Sequence, residues 1–183
     1  MNTARVELKL VLSQAGIGDI KLDSFSQRFN VQKRIYLTQV MGYDLGYRFS
    51  WYLRGPYCRG LTEEAFILKD ELNSDDNEYE SYELSSVGIA NIDRAKRLWE
   101  IPEDTQIDND SWLELLSSLH YLKHIAYWPK DTDKVFNSVF NKLIESKPQF
   151  ENSKEVAEKA WERLDKHGLI EKTTSVSNGG SGE

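Results

Sequence analysis

Apolar positions recur at helical spacing along most of the chain. Leu8, Val11, Leu12 and Ala15 fall at i, i+3, i+4 and i+7, which predicts a first helix ended by Gly16 and Gly18. Ser24, three residues before Gln27, has capping-box spacing. It opens a second predicted helix through Phe25, Phe29, Ile35, Tyr36 and Val40 to Gly42, with a break expected near Asn30. From 47 to 54 the period changes. Tyr47, Phe49, Trp51 and Leu53 alternate with Arg48, Ser50, Tyr52 and Arg54, the signature of a half-buried strand. Phe49, Trp51 and Leu53 are expected against the core, Arg48, Tyr52 and Arg54 on the open face, with Gly55-Pro56 turning the chain. Thr62 reads as the N-cap of a helix carrying Ala65, Phe66 and Leu68 to Leu72.

A polar, acidic loop is expected over 73–80 and a short strand or turn over 81–84. Ile89, Ile92, Ala95 and Leu98 predict a helix into Trp99, ended by Pro102. The stretch 101–110 reads as a linker between an N-terminal half (1–100) and a helical C-terminal half (111–172). Three helical patterns follow it: Trp112, Leu115, Leu116, Leu119, Leu122 and Ala126; then Phe136, Val139, Phe140 and Leu143; then Ala157, Ala160, Trp161 and Leu164, closed by Gly168. The tail 173–183, ending in Gly179-Gly180-Ser181-Gly182-Glu183, is expected to be disordered. The expected fold class is mainly α with a short β hairpin or small sheet, an α+β arrangement of six or seven helices that could be winged-helix-like.

Composition narrows the function classes. At 183 residues, 39% hydrophobic and 29% charged, the chain is long enough to bury a core. No apolar run approaches the length that spans a bilayer, so no membrane partner is expected. Arg5, Glu7, Lys9 and Asp19 argue against a secretory signal. A single cysteine, Cys58, excludes an internal disulfide and any multi-cysteine zinc site. The expected compartment is the cytoplasm.

The familiar catalytic signatures are missing from the sequence. There is no Gly-x-x-x-x-Gly-Lys phosphate loop and no Gly-x-Ser-x-Gly elbow. His120 and His124 have a metal-binding spacing, but on a helical wheel they lie away from the Trp112/Leu119/Leu122 stripe and are expected to face solvent. Tyr121 also stands where a zinc hydrolase places its glutamate. Cys58 has Arg59 beside it but no evident base. The acids Asp75, Asp76, Glu78 and Glu80 lack the glycine and terminal glutamate of a calcium loop. No catalytic residue, metal or cofactor is therefore expected.

Charge is polarised. Residues 28–59 hold six bases (Arg28, Lys33, Arg34, Arg48, Arg54, Arg59) and one acid, Asp44, a net +5. Residues 63–83 hold nine acids and one base, a net −8. Arginines interleaved with Tyr36, Tyr43, Tyr47, Trp51, Tyr52 and Tyr57 suit a protein–protein hot spot or a nucleic-acid grip. The same two segments could instead fold together and neutralise each other. The overall charge of −7 counts against non-specific DNA affinity.

The run Gln32-Lys33-Arg34-Ile35-Tyr36-Leu37, then Gly42, then Phe49-Ser50-Trp51-Tyr52-Leu53-Arg54-Gly55-Pro56-Tyr57 is distinctive. It resembles the Panacea (SocA-type) antitoxin domain and related bacterial proteins. In that family a Lys-Leu-x-Tyr-like helix precedes a strand entering a Tyr-x-x-Gly-Pro turn. The matching pieces are Lys33 to Tyr36 and Tyr52-Leu53-Arg54-Gly55-Pro56, within residues 30–70. After the turn the chain reads Tyr57-Cys58-Arg59-Gly60-Leu61, where the typical antitoxin has a Val-plus-Pro pattern. The resemblance implies a Panacea-like helical domain and a non-enzymatic interaction module of antitoxin or phage-defence-associated type. Its partner would be a toxin or a defence-complex subunit.

Pro56 fixes the backbone after Gly55, so Arg48, Tyr52, Arg54, Tyr57 and Arg59 are the expected partner-binding residues. The alternative is a winged-helix-like DNA-binding regulator using Arg28, Lys33 and Arg34 on the second helix.

Overall fold

The computed structural model describes residues 2–73 and 81–170. Asn2 opens α1 (Thr3–Gln14), its side chain accepting from the Ala4 N–H at 3.0 Å. The capping box of Ser24 and Gln27 opens α2 (Phe25–Val40). That helix runs unbroken through Asn30, whose side-chain amide donates to the Ser26 carbonyl and across to Asp110.

The hairpin departs from the expected strand. Strands β1 (Ser50–Tyr52) and β2 (Gly55–Tyr57) pair antiparallel, with Tyr52 opposite Gly55. The turn is therefore Leu53-Arg54, and Gly55-Pro56 begins the second strand. Leu53 is consequently at the tip and exposed, while Phe49 and Trp51 pack on the core as expected. Gly55 is required where it stands. Its φ is +85°, and a Cβ there would lie 2.5 Å from Ser118 Oγ.

Helix α3 (Arg59–Leu72) starts three residues before the expected cap at Thr62. The Gln32 side chain sets that start: its carbonyl accepts from the Cys58 N–H and its amide donates to the Cys58 carbonyl, both at 2.8 Å. Cys58, held extended, is the N-cap, and Thr62 falls inside the helix. Most of the acidic loop, 74–80, and the tail from 171 lie outside the described residues. No strand forms over 81–84.

Helices α4 (Ser86–Trp99), α5 (Asn109–His124), α6 (Phe136–Ser146) and α7 (Lys154–Lys166) complete the fold. Asp108 caps α5 by accepting from the Ser111 N–H at 2.9 Å. Gly168, at φ +72°, follows α7 where its pattern ends. Seven helices and a two-stranded sheet, among the described residues, give the mainly α architecture the sequence indicates.

Helix α5 is central. It packs against α2, α6, α7 and β2, and every residue from Trp112 to Leu122 is buried. A helix buried on all sides belongs to the middle of a core, not to its surface. One apolar cluster runs from α1 through α7, so the segments on either side of 101–108 share it.

Candidate functional site

Helix α2 places Phe25, Arg28, Phe29, Gln32 and Lys33 on one face, at the spacing of successive turns. The hairpin folds over that face and contributes Tyr52, Leu53, Arg54, Gly55 and Tyr57; Thr62 closes the side. Between them lies a cavity of about 200 Å³. Phe25 (56% exposed), Tyr52 (58%) and Leu53 (76%) are set around it.

Lys33 is 2% exposed. Its Nζ donates to the Pro56 carbonyl at 2.6 Å and sits 5.0 Å over the Phe29 ring. Burial pushes its pKa down to about 7; Glu114 opposes that shift, and Lys147 and Arg54 add to it. Arg54 donates from Nε to Glu114 Oε2 at 2.5 Å and lies over the rings of Phe25 and Phe29. Glu114 is wholly buried on α5 and is shared. Lys147 Nζ lies 3.0 Å from its other oxygen and forms a buried ion pair with it. Lys147 also donates to the Leu53 carbonyl and covers Trp51. Burial lowers its pKa against the pull of Glu114. The turn is thus fastened from below, its backbone by Lys147 and its side chain by Glu114.

The remaining polar groups of the lining are largely satisfied within the protein. Gln32 holds Cys58, and Thr62 Oγ1 donates to Tyr57 Oη at 3.1 Å. The Tyr52 and Tyr57 rings are 5.4 Å apart. Arg28 Nη1 donates to the Leu22 and Asp23 carbonyls at 2.6 and 3.0 Å.

Tyr52, Arg54 and Tyr57 from the expected partner-binding set therefore meet Arg28 and Lys33 from the nucleic-acid set at one cavity. The others go elsewhere. Arg48 is exposed beside a shallow groove with Gln39, Tyr47 and Ile125. Arg59 pairs with Glu63 at 2.7 Å, one turn along α3, outside the cavity. Arg34 donates to the Ala15 carbonyl at 2.8 Å and stacks on Trp99. With Lys33 buried and Arg34 bonded to the end of α1, the three α2 bases do not make one solvent-facing basic surface.

The basic and acidic segments do not simply cancel. Arg5 of α1 takes Glu64 at 3.3 Å and Glu71 at 2.8 Å, Asp23 takes Lys69, and Arg54 goes to α5. Among the described residues only Arg59–Glu63 joins the two segments by an ion pair.

The expected solvent position of His120 is corrected. It is buried, and its Nδ1 lies 2.8 Å from Tyr36 Oη. Burial first, then the nearby His124, pushes its pKa down to about 3. The wheel misplaced it because α5 has no solvent face over this stretch. His124 is exposed as expected, with Nε2 2.7 Å from the Leu169 carbonyl. Among the described residues no three His, Cys, Asp or Glu side chains gather as a metal site.

Sequence reasoning missed the cavity-lining roles of Phe25, Phe29 and Leu53, and the buried pair Glu114 and Lys147. A signal existed for some. Phe25, Phe29 and Lys33 recur every four residues, and Glu114 stands alone between Leu113 and Leu115. Comparison of the chain with protein-family models, curated proteins and solved structures gives no match.

Proposed function

We propose that the protein is a non-enzymatic interaction module of the antitoxin or phage-defence-associated type, engaging a partner protein through the hairpin face. The carrying observation is the exposed cluster of Tyr52 and Leu53 on the hairpin with Phe25 of α2 beside the same cavity, the turn itself being held from beneath by Glu114 and Lys147. Large apolar side chains gathered on a rigid support match the makeup of binding hot spots. Pre-organisation lowers the ordering cost of association. Tyr57 and Arg54 lie within the same face.

The test is a tagged pull-down from the native host, comparing wild type with Tyr52→Ala/Leu53→Asp. Both side chains are at the exposed tip, so the melting temperature should change little while a stoichiometric protein partner is lost. Retention of the partner by the double variant would overturn this assignment of the face. Arg54→Ala is the wrong probe, because it strips the buried Glu114 of a partner.

A further inference from the structure

Three bases line the hairpin cavity, Arg28, Lys33 and Arg54, and no acid does. The single buried carboxylate beneath it, Glu114, is already divided between Arg54 and Lys147. Lys33 thus has no carboxylate in hydrogen-bond contact; its Nζ makes one hydrogen bond, to a carbonyl, among the described residues. Arg54 uses only Nε and Arg28 only Nη1 in hydrogen bonds among the described residues. Donors and positive charge therefore exceed their protein partners at one place. The rest of the lining is chiefly aromatic and aliphatic: Phe25, Phe29, Tyr52, Leu53 and Tyr57.

We propose that this cavity binds a carboxylate group attached to an apolar body of about one ring, the anion meeting Lys33, Arg54 and Arg28 and the body lying among Phe25, Phe29 and Tyr52. Charge complementarity selects the anion. The aromatic walls select the apolar body over a bare ion. Size sets the limit, since about 200 Å³ is below the roughly 300 Å³ of ordinary small-molecule pockets. Two sources carry this chemistry: a free aromatic or branched acid, and the C-terminal residue of another chain. Bound carboxylate would also stabilise the charged form of Lys33, the form that burial disfavours. This site stands on the cavity alone, so losing the partner protein reading would not remove it, nor the reverse.

The experiment is titration calorimetry of the full chain with four probes: benzoate, benzamide, N-acetyl-Gly-Phe as the free acid, and the same dipeptide as its C-terminal amide. Each acid is expected to bind at least about tenfold more tightly than its neutral counterpart. Tighter binding of benzoate identifies the free acid as the source, and tighter binding of the dipeptide acid identifies the chain end. Lys33→Met and Arg28→Gln should each weaken the preferred acid by about tenfold. Lys154→Gln, at the exposed start of α7, should leave it unchanged. The variants are compared by circular dichroism, and Arg28→Gln, nearer the surface, serves if Lys33→Met fails to fold. Equal binding of acids and amides, no binding of either acid, or an affinity indifferent to Arg28 and Lys33 would overturn the proposal.

Discussion

At the scale of single residues, His120 shows how burial decides chemistry. An imidazole on the surface would titrate near neutrality. Here it is enclosed beside Tyr36 and held neutral, with its pKa down at about 3. The unfolded chain binds a proton at this histidine near pH 6.5, and the native state does not until about pH 3. The unfolded state therefore holds more protons in that window, and stability falls as pH drops through it, by up to about 1.4 kcal/mol per pH unit. Urea unfolding between about pH 6.5 and 5.5, above the main carboxylate range, reads this loss together with that of His167, whose pKa burial also lowers. The His120→Gln variant should show a shallower loss than wild type; an identical slope would mean the ring is not held neutral.

At the scale of elements, the hairpin depends on groups distant in sequence. Three-residue strands cannot hold a two-stranded sheet in water by themselves. Lys147, which follows α6, and Glu114 of α5 fasten the turn, and Lys33 of α2 holds the Pro56 carbonyl. Removing one member of a buried ion cluster leaves the others uncompensated. Glu114→Gln should cost about 3–5 kcal/mol in chemical denaturation. The double variant Glu114→Gln/Lys147→Met should lose less than the sum of the two single changes, because the pair is coupled. Additive losses would show that the cluster does not act as a unit.

For the whole molecule, α5 is the helix on which the rest is assembled. It touches the hairpin, α2, α6 and α7, and Trp112 is completely buried in it. Trp112→Ala should destabilise by about 3–5 kcal/mol, as large cavities do. Trp112 Nε1 has no hydrogen-bond partner among the described residues. Trp112→Phe should accordingly cost much less, since it also removes a buried N–H that is unpaired. Similar melting temperatures for the Ala and Phe variants would contradict this account of the core.

Local pattern carried most of the elements. The 3.6 period marked every helix, capping chemistry at Ser24 and glycine at 168 marked two ends, and the switch to period two marked the hairpin region. These are near-neighbour effects, so the chain specifies them without help. Distant contacts decided the rest. The turn moved to Leu53-Arg54 because Gly55 must sit against Ser118, and α3 began early because Gln32 holds Cys58. The basic aromatic segment was visible in the sequence, with Tyr52, Arg54 and Tyr57 named on it. Which of its bases are buried, paired or open was not, because that depends on Glu114 and Lys147, 60 and 94 residues away from their hairpin partners. Periodicity states which way a side chain points from its own helix. Only the packing of the other helices determines whether water or protein is waiting there.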